Sequence, residues 1–275
     1  MESMALTIIK LGGSLITYKH SGRPVLRLDV VRRLARELVS LRRSGHLGQC
    51  ILVHGAGSFG HPTVFRHRLN GRRLSRRSML MVGQTIRSVD SLTTLVTEHL
   101  LSAGVPVVPL QTTSLVTGRD NRWKFLGRKI LQQILRSGAI PLLSGQLVVS
   151  DDGRSVVLSA DRLAVILARL FGATRIIFCT DVDGIYAHFP PRAGERPMAH
   201  LDRRELATFI RTRTIRPRST DVTGSMVGKL RAIMTWGHGM VVIINGLRAS
   251  RLSSAFSSPP PGTVIHMDTK KKPSR

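Results

Sequence analysis

Apolar residues recur along this chain in two rhythms. Short runs with little alternation, at 5–11, 50–53, 105–108, 139–143, 175–179, 241–244 and 263–265, read as strands buried on both faces. Between them lie segments with helical spacing. In 28–41, Val31, Leu34, Ala35, Leu38 and Leu41 share one face, and Gly45 follows as a stop. The same rhythm predicts helices over 78–101, 127–136, 161–170 and 224–236. Residues 147–149 and 155–158 flank Asp151-Asp152-Gly153, a hairpin signal, and 186–200 reads as loop.

Strands alternating with helices predict a three-layer αβα sandwich around a largely parallel central sheet. With no repeat and no long linker, residues 1–267 are expected to form one domain. Residues 268–275 form a basic tail expected to be disordered. In such folds the chemistry collects at the carboxyl ends of the strands.

Composition narrows the class. Hydrophobic residues make up 42% of the 275, enough for a sizeable core. No apolar stretch reaches the roughly 18 residues of a membrane span, and the first residues lack the basic and apolar regions of a secretory signal. The two cysteines, Cys50 and Cys179, sit in strand-like runs. They read as reduced, buried thiols of a cytoplasmic protein, and no ligand spacing for zinc accompanies them.

The charge is extreme: 42 Lys and Arg against 16 Asp and Glu, a net +26. Such a field attracts nucleic acid, anionic lipid or phosphorylated metabolites. Aromatics are only 4% and no nucleic-acid motif occurs, so specific nucleic-acid binding is the second reading and solvated helix faces the first. Lysine is scarce: it occurs at 10, 19, 124, 129, 229 and in the tail trio 270–272. Where arginine is the default, an isolated lysine marks a site that needs a compact ammonium on a flexible stem.

Two glycine turns follow strands directly. Lys10-Leu11-Gly12-Gly13-Ser14 lets backbone amides approach phosphate oxygens with a lysine beside them, although it matches neither the P-loop nor the dinucleotide fingerprint. In His54-Gly55-Ala56-Gly57-Ser58-Phe59-Gly60-His61, three glycines form an anion cradle between two histidines. His54, next to the strand, reads as structural. His61, beyond the last glycine, is placed to hydrogen-bond a phosphate.

These runs carry a resemblance. Ile9 to Ser14 with Thr17-Tyr18-Lys19 is similar to the opening of amino acid kinases, and His54 to Pro62 resembles the signature of isopentenyl phosphate kinases within that superfamily. Ser159-Ala160-Asp161, Thr180-Asp181-Val182-Asp183-Gly184, Asp221 to Lys229, Ile243 to Leu247 and Gly262-Thr263 follow in the family's order. The resemblance spans about 5 to 266. It implies transfer of the γ-phosphoryl group of ATP to isopentenyl phosphate in isoprenoid biosynthesis, with Mg2+ carried by ATP and no metal site of the protein's own. It also implies a homodimer, acceptor binding by the N-terminal part and nucleotide binding from about residue 172.

By the same resemblance Lys10, Lys19, His61 and Asp161 are the catalytic residues. Lys19 would stabilise the transferring group, and Asp161 would orient the lysines. Lys10, Gly12, Gly13, Ser14, Gly57, Asp181, Asp183, Gly224, Ser225 and Lys229 would contact ATP. Ala56, His61 and Ala160 would contact the acceptor. Asp181 and Asp183 read equally well as turn acids capping backbone amides. Met79, Val82 and Ile86 share a helical stripe that reads equally as a pocket for an isoprenoid tail and as core.

Four positions depart from the family: Ser144 and Gln146 in Ser144-Gly145-Gln146, where His-Gly-Asp is usual, and Ala160 and Arg162 in place of glycine and aspartate. Fosfomycin kinases of the same superfamily have a Ser-Asp-Arg run at the place of Ser159-Ala160-Asp161-Arg162, so a phosphonate is the alternative acceptor.

Overall fold

The computed structural model describes residues 5–18, 23–120, 122–188, 190–212 and 226–268. Along the chain come β1 (Thr7–Leu11), α1 (Gly13–Ile16), α2 (Leu28–Arg43), β2 (Cys50–His54), α3 (Gly57–Arg66), β3 (Arg72–Arg73) and α4 (Arg76–Ser102). Then follow β4 (Val107–Pro109), α5 (Thr112–Leu115), β5 (Val116–Arg119), β6 (Arg122–Phe125), α6 (Arg128–Arg136), β7 (Ile140–Ser144), β8 (Gln146–Val149) and β9 (Arg154–Leu158). The C-terminal part holds α7 (Ala160–Phe171), β10 (Arg175–Thr180), β11 (His200–Asp202), α8 (Arg203–Thr212), α9 (Met226–Met234), β12 (Met240–Asn245), α10 (Arg251–Ser254) and β13 (Thr263–His266).

Eight strands form one sheet in the order β11-β13-β12-β10-β1-β2-β7-β4. Only the β12–β13 pairing in it is antiparallel. Alternate residues of each strand feed two cores. Ile8, Ile51, Val53, Ile176, Phe178 and Ile243 pack with Leu163 and Leu167 of α7 and Leu230 and Ile233 of α9. Ile9, Leu52, Leu142, Ile177 and Ile244 pack on the opposite face with Leu34 and Leu38 of α2 and Leu92 and Val96 of α4. Helices therefore cover both faces, as the continuous apolar strand runs require.

The predicted strands and long helices recur with ends moved by a few residues. Several further elements are additional, α3, β5, β6 and α8 among them. α3 continues the second glycine turn as a helix, hidden in the sequence by Gly60 and Pro62. β5 and β6 form a hairpin. α8 starts at a reciprocal cap in which the Glu205 amide donates to Asp202 Oδ1 (2.7 Å) and the Asp202 amide to Glu205 Oε2 (2.8 Å). The expected start of the 224–236 helix and nearly all of the 268–275 tail lie outside the described residues.

Candidate active site

The carboxyl ends of five neighbouring strands are stitched together by glycine amides. Gly246 donates to Thr180 O (2.8 Å), Gly12 to Cys179 O (2.8 Å), Gly55 to Leu11 O (2.9 Å) and Gly145 to His54 O (2.8 Å). The turns after β12, β10, β1, β2 and β7 thus share one edge of the sheet.

At the centre of that edge the two glycine turns of the sequence touch. A Cβ on Gly13 would lie 2.5 Å from Gly57 N, and one on Gly55 would lie 2.6 Å from Gly13 N. No side chain fits either position, so the close approach demands glycine. Gly57 also has φ +50°. The contact is locked by Thr17, fully buried, whose hydroxyl donates to Gly13 O (2.8 Å) and accepts from the Ser58 amide (3.0 Å). Thr17→Val should orphan that amide and lower stability by about 1–3 kcal/mol, read by urea unfolding. Thr17→Ser should retain most of it. Equal stability of the valine variant would show that the hydroxyl holds nothing.

The charged heart of the edge is a triad. Strand alternation turns Lys10 of β1 toward the face covered by α7 and α9. There Lys10 Nζ lies 2.8 Å, and Lys229 Nζ of α9 lies 2.7 Å, from the same oxygen of Asp161, Oδ1. Both lysines are only 7% exposed. Lys229 Nζ also stands 4.7 Å from the ring centre of Phe178, the β10 residue paired with Lys10. Asp161 occupies the first turn of α7, where the helix N-terminus favours negative charge. Ser159 caps that helix by accepting from the Arg162 amide (3.2 Å).

Burial alone would raise the Asp161 pKa; the two ammonium groups outweigh it and hold the carboxyl well below the usual range. Lys229 shows the converse: burial first, then the charge of Lys10, lowers its pKa to about 8 against the pull of Asp161. Two cations on one anion leave a net positive charge, and each ammonium keeps donors beyond its bond to Asp161. Such a site is suited to an anion.

The remaining expected site residues divide clearly. His61 is half-buried on α3, one turn from the Gly57 contact, and Ala56 precedes that helix. Ala160 abuts Gly145, whose added Cβ would be 2.5 Å from Ala160 N. Ser14 is the second residue of α1, so its amide and that of Gly13 lack intrahelical acceptors. Asp181 follows β10, half-buried. Asp183 serves as a tie: Asn245 Nδ2 (3.2 Å) and Arg248 Nη2 (3.0 Å) donate to it, joining the turns after β10 and β12. Lys19, Gly224 and Ser225 lie outside the described residues.

His54 is fully buried between Gly55 O (3.1 Å from Nδ1) and the Thr93 hydroxyl (2.9 Å from Nε2). Desolvation lowers its pKa to about 4, so it is neutral and structural. The 79–86 stripe splits. Val82 is core with Val64, Leu69 and Leu147, and Ile86 packs on that cluster, whereas Met79 is 43% exposed. Gln146 donates to Asp90 Oδ1 (3.2 Å) on α4, a role for the departure that its type alone did not signal. Thr17 was likewise missed as a bridge; its four-residue offset from Gly13 was the available clue.

Residues 5–245 match the model of the amino acid kinase family. The chain belongs to the amino acid kinase family. The isopentenyl phosphate kinase of Methanothermobacter thermautotrophicus is 31% identical over 239 residues, covering 83% of this chain and 86% of that protein. That of Methanocaldococcus jannaschii is 25% identical, covering 94% and 98%. Among solved structures, one of isopentenyl phosphate kinase superposes with a TM-score of 0.79 at 27% identity, covering 94% of this chain and 100% of the other. The resemblance read from the two glycine turns is borne out, as is the amino acid kinase fold.

Proposed function

We propose that this kinase transfers the γ-phosphoryl group of ATP to the phosphate of isopentenyl phosphate, giving isopentenyl diphosphate and ADP. The observation that carries the reading is the Lys10–Asp161–Lys229 triad at the sheet edge beside the Gly13–Gly57 contact. In the transfer the bond from the γ-phosphorus to its bridging oxygen breaks as an acceptor phosphate oxygen bonds to that phosphorus. The acceptor is already an anion, so alignment and charge stabilisation dominate over base catalysis.

Lys10 and Lys229 would hold ATP phosphates, with Asp161 fixing both ammonium groups. Gly12, Gly13, Ser14 and Gly57 would let backbone approach the nucleotide, and Asp181, Asp183, Gly224 and Ser225 would border it. Lys19 would stabilise the moving group, while His61, Ala56 and Ala160 would hold the acceptor phosphate. This gives the chain an acceptor-binding N-terminal part and a nucleotide-binding part from about residue 172. Magnesium would arrive with ATP, neutralising phosphate charge through phosphate oxygens and water. Among the described residues no group of three or more His, Cys, Asp or Glu stands ready to hold a metal ion, and the triad's carboxylate oxygen is engaged by lysines.

No helix of the described residues is long and apolar enough to cross a membrane. Burial pushes the Cys179 thiol up to about 12, which fits inert, reduced cysteines in a cytoplasmic enzyme. A homodimer follows from the resemblance and is checked by light scattering.

The deciding assay is coupled ADP release across isopentenyl phosphate, dimethylallyl phosphate, fosfomycin and nucleoside monophosphates. Isopentenyl phosphate should have the highest kcat/KM; a preference for fosfomycin would reassign the acceptor. His61→Ala should lower kcat/KM for the acceptor at least about tenfold with the fold intact, and His61→Gln should retain more. Normal turnover and saturation by the alanine variant would remove His61 from the site.

A further inference from the structure

The proposed site employs scarce lysines and leaves the arginine excess unexplained. Between Glu37 and Asp90 the chain carries no acidic residue. Within that span Arg66, Arg68, Arg72, Arg73, Arg76 and Arg77 are all exposed, around the end of α3, β3 and the first turn of α4. Among the described residues none of the six pairs with a carboxylate; Arg72 donates instead to His67 O (3.1 Å). The strand paired with β3 places Arg154 opposite Arg73, and Arg154 is itself ion-paired with Asp152 (3.2 Å). The same stretch exposes large apolar side chains, Phe65 at 52% and Leu80 at 60%. Beneath it Val64, Leu69, Val82 and Leu147 form a small core that anchors the surface to the fold.

Unneutralised like charges and exposed aromatic and aliphatic groups are each unfavourable in water. One kind of partner relieves both. We propose that this face docks on an anionic phospholipid bilayer, with the guanidinium groups on headgroup phosphates and Phe65 and Leu80 entering the acyl boundary. A nucleic acid would match the charge but leave Leu80 without a partner, and Phe65 is the only Phe, Tyr or Trp between residues 60 and 120 for a base to stack on. None of these residues belongs to the proposed catalytic site, so the inference stands apart from the choice of acceptor.

The test is flotation of the full chain with vesicles of phosphatidylcholine alone and of equal parts phosphatidylcholine and phosphatidylglycerol. The protein should float with the anionic vesicles only. A Phe65→Ser/Leu80→Ser variant should bind them about tenfold more weakly, and an Arg72→Gln/Arg73→Gln/Arg76→Gln/Arg77→Gln variant should lose flotation. Kinase turnover of both should stay within about twofold of the parent as a check on folding, and Arg203→Gln/Arg204→Gln on α8 should float normally. No flotation with anionic vesicles, equal flotation with neutral ones, or flotation indifferent to these variants would overturn the proposal. So would a duplex oligonucleotide that displaces the vesicles and binds the Phe65→Ser/Leu80→Ser variant as tightly as the parent.

Discussion

Asp161→Asn is expected to lower kcat at least about a hundredfold and to destabilise the fold by about 3–5 kcal/mol. The reason is the shared oxygen: Lys10 and Lys229 both end on Asp161 Oδ1, at 2.8 and 2.7 Å. Removing the negative charge leaves two buried ammonium groups facing each other without a counter-ion. The lysine already lowered to about 8 would fall further, and one of the pair would shed its proton near neutrality. Lowering the pH should therefore restore part of the variant's activity, because protonation returns the missing cation. Thermal unfolding and kcat measured between pH 6 and 9 check both halves. A variant within twofold of the parent in kcat, with unchanged Tm, would show that the triad neither organises the site nor supports the fold.

The second large effect concerns Lys229. Replacing it with Met removes the cation proposed to hold an ATP phosphate and should reduce kcat/KM for ATP by about 10²–10³. The parent enzyme should itself lose kcat/KM about tenfold per pH unit above roughly pH 8, since that parameter reports groups of the free enzyme. Lys229→Arg should remove this alkaline limb, because a guanidinium keeps its proton there. Stability moves in the opposite sense. The folded pKa is lowered from 10.5 to about 8, so between those values the unfolded chain binds the proton that the folded chain has released. The contribution of this group to stability then rises with pH over the window in which activity falls. Loss of activity without loss of Tm between pH 8 and 10 is the signature. An alkaline limb that survives in Lys229→Arg would assign the titration to another group.

The share of the site legible in the chain follows from the kind of information each feature needs. Gly13, Gly55 and Gly57 were recognisable as phosphate-type turns because they follow apolar strand runs directly. Lys10 and Lys229 stood out because arginine fills nearly every other basic position. The cap that starts α8, Asp202 with Glu205, was also written locally and was passed over. α3 was obscured for a physical reason: Gly60 and Pro62 lower helical propensity, and packing against α4 supplies what propensity does not.

Buried strands, amphipathic helices and tight turns all arise from neighbours within a few residues, so the alternating α/β architecture and its reactive edge could be read from the order of amino acids. Which strand lies beside which could not. Residues 10, 161 and 229 converge because β10 and β2 flank β1, and because α7 and α9 cover the same face of that sheet. Periodicity reports which side of an element is buried and is silent about what it is buried against. The meeting of two ammonium groups on one carboxylate oxygen and the Thr17 bridge between turns are products of the folded arrangement.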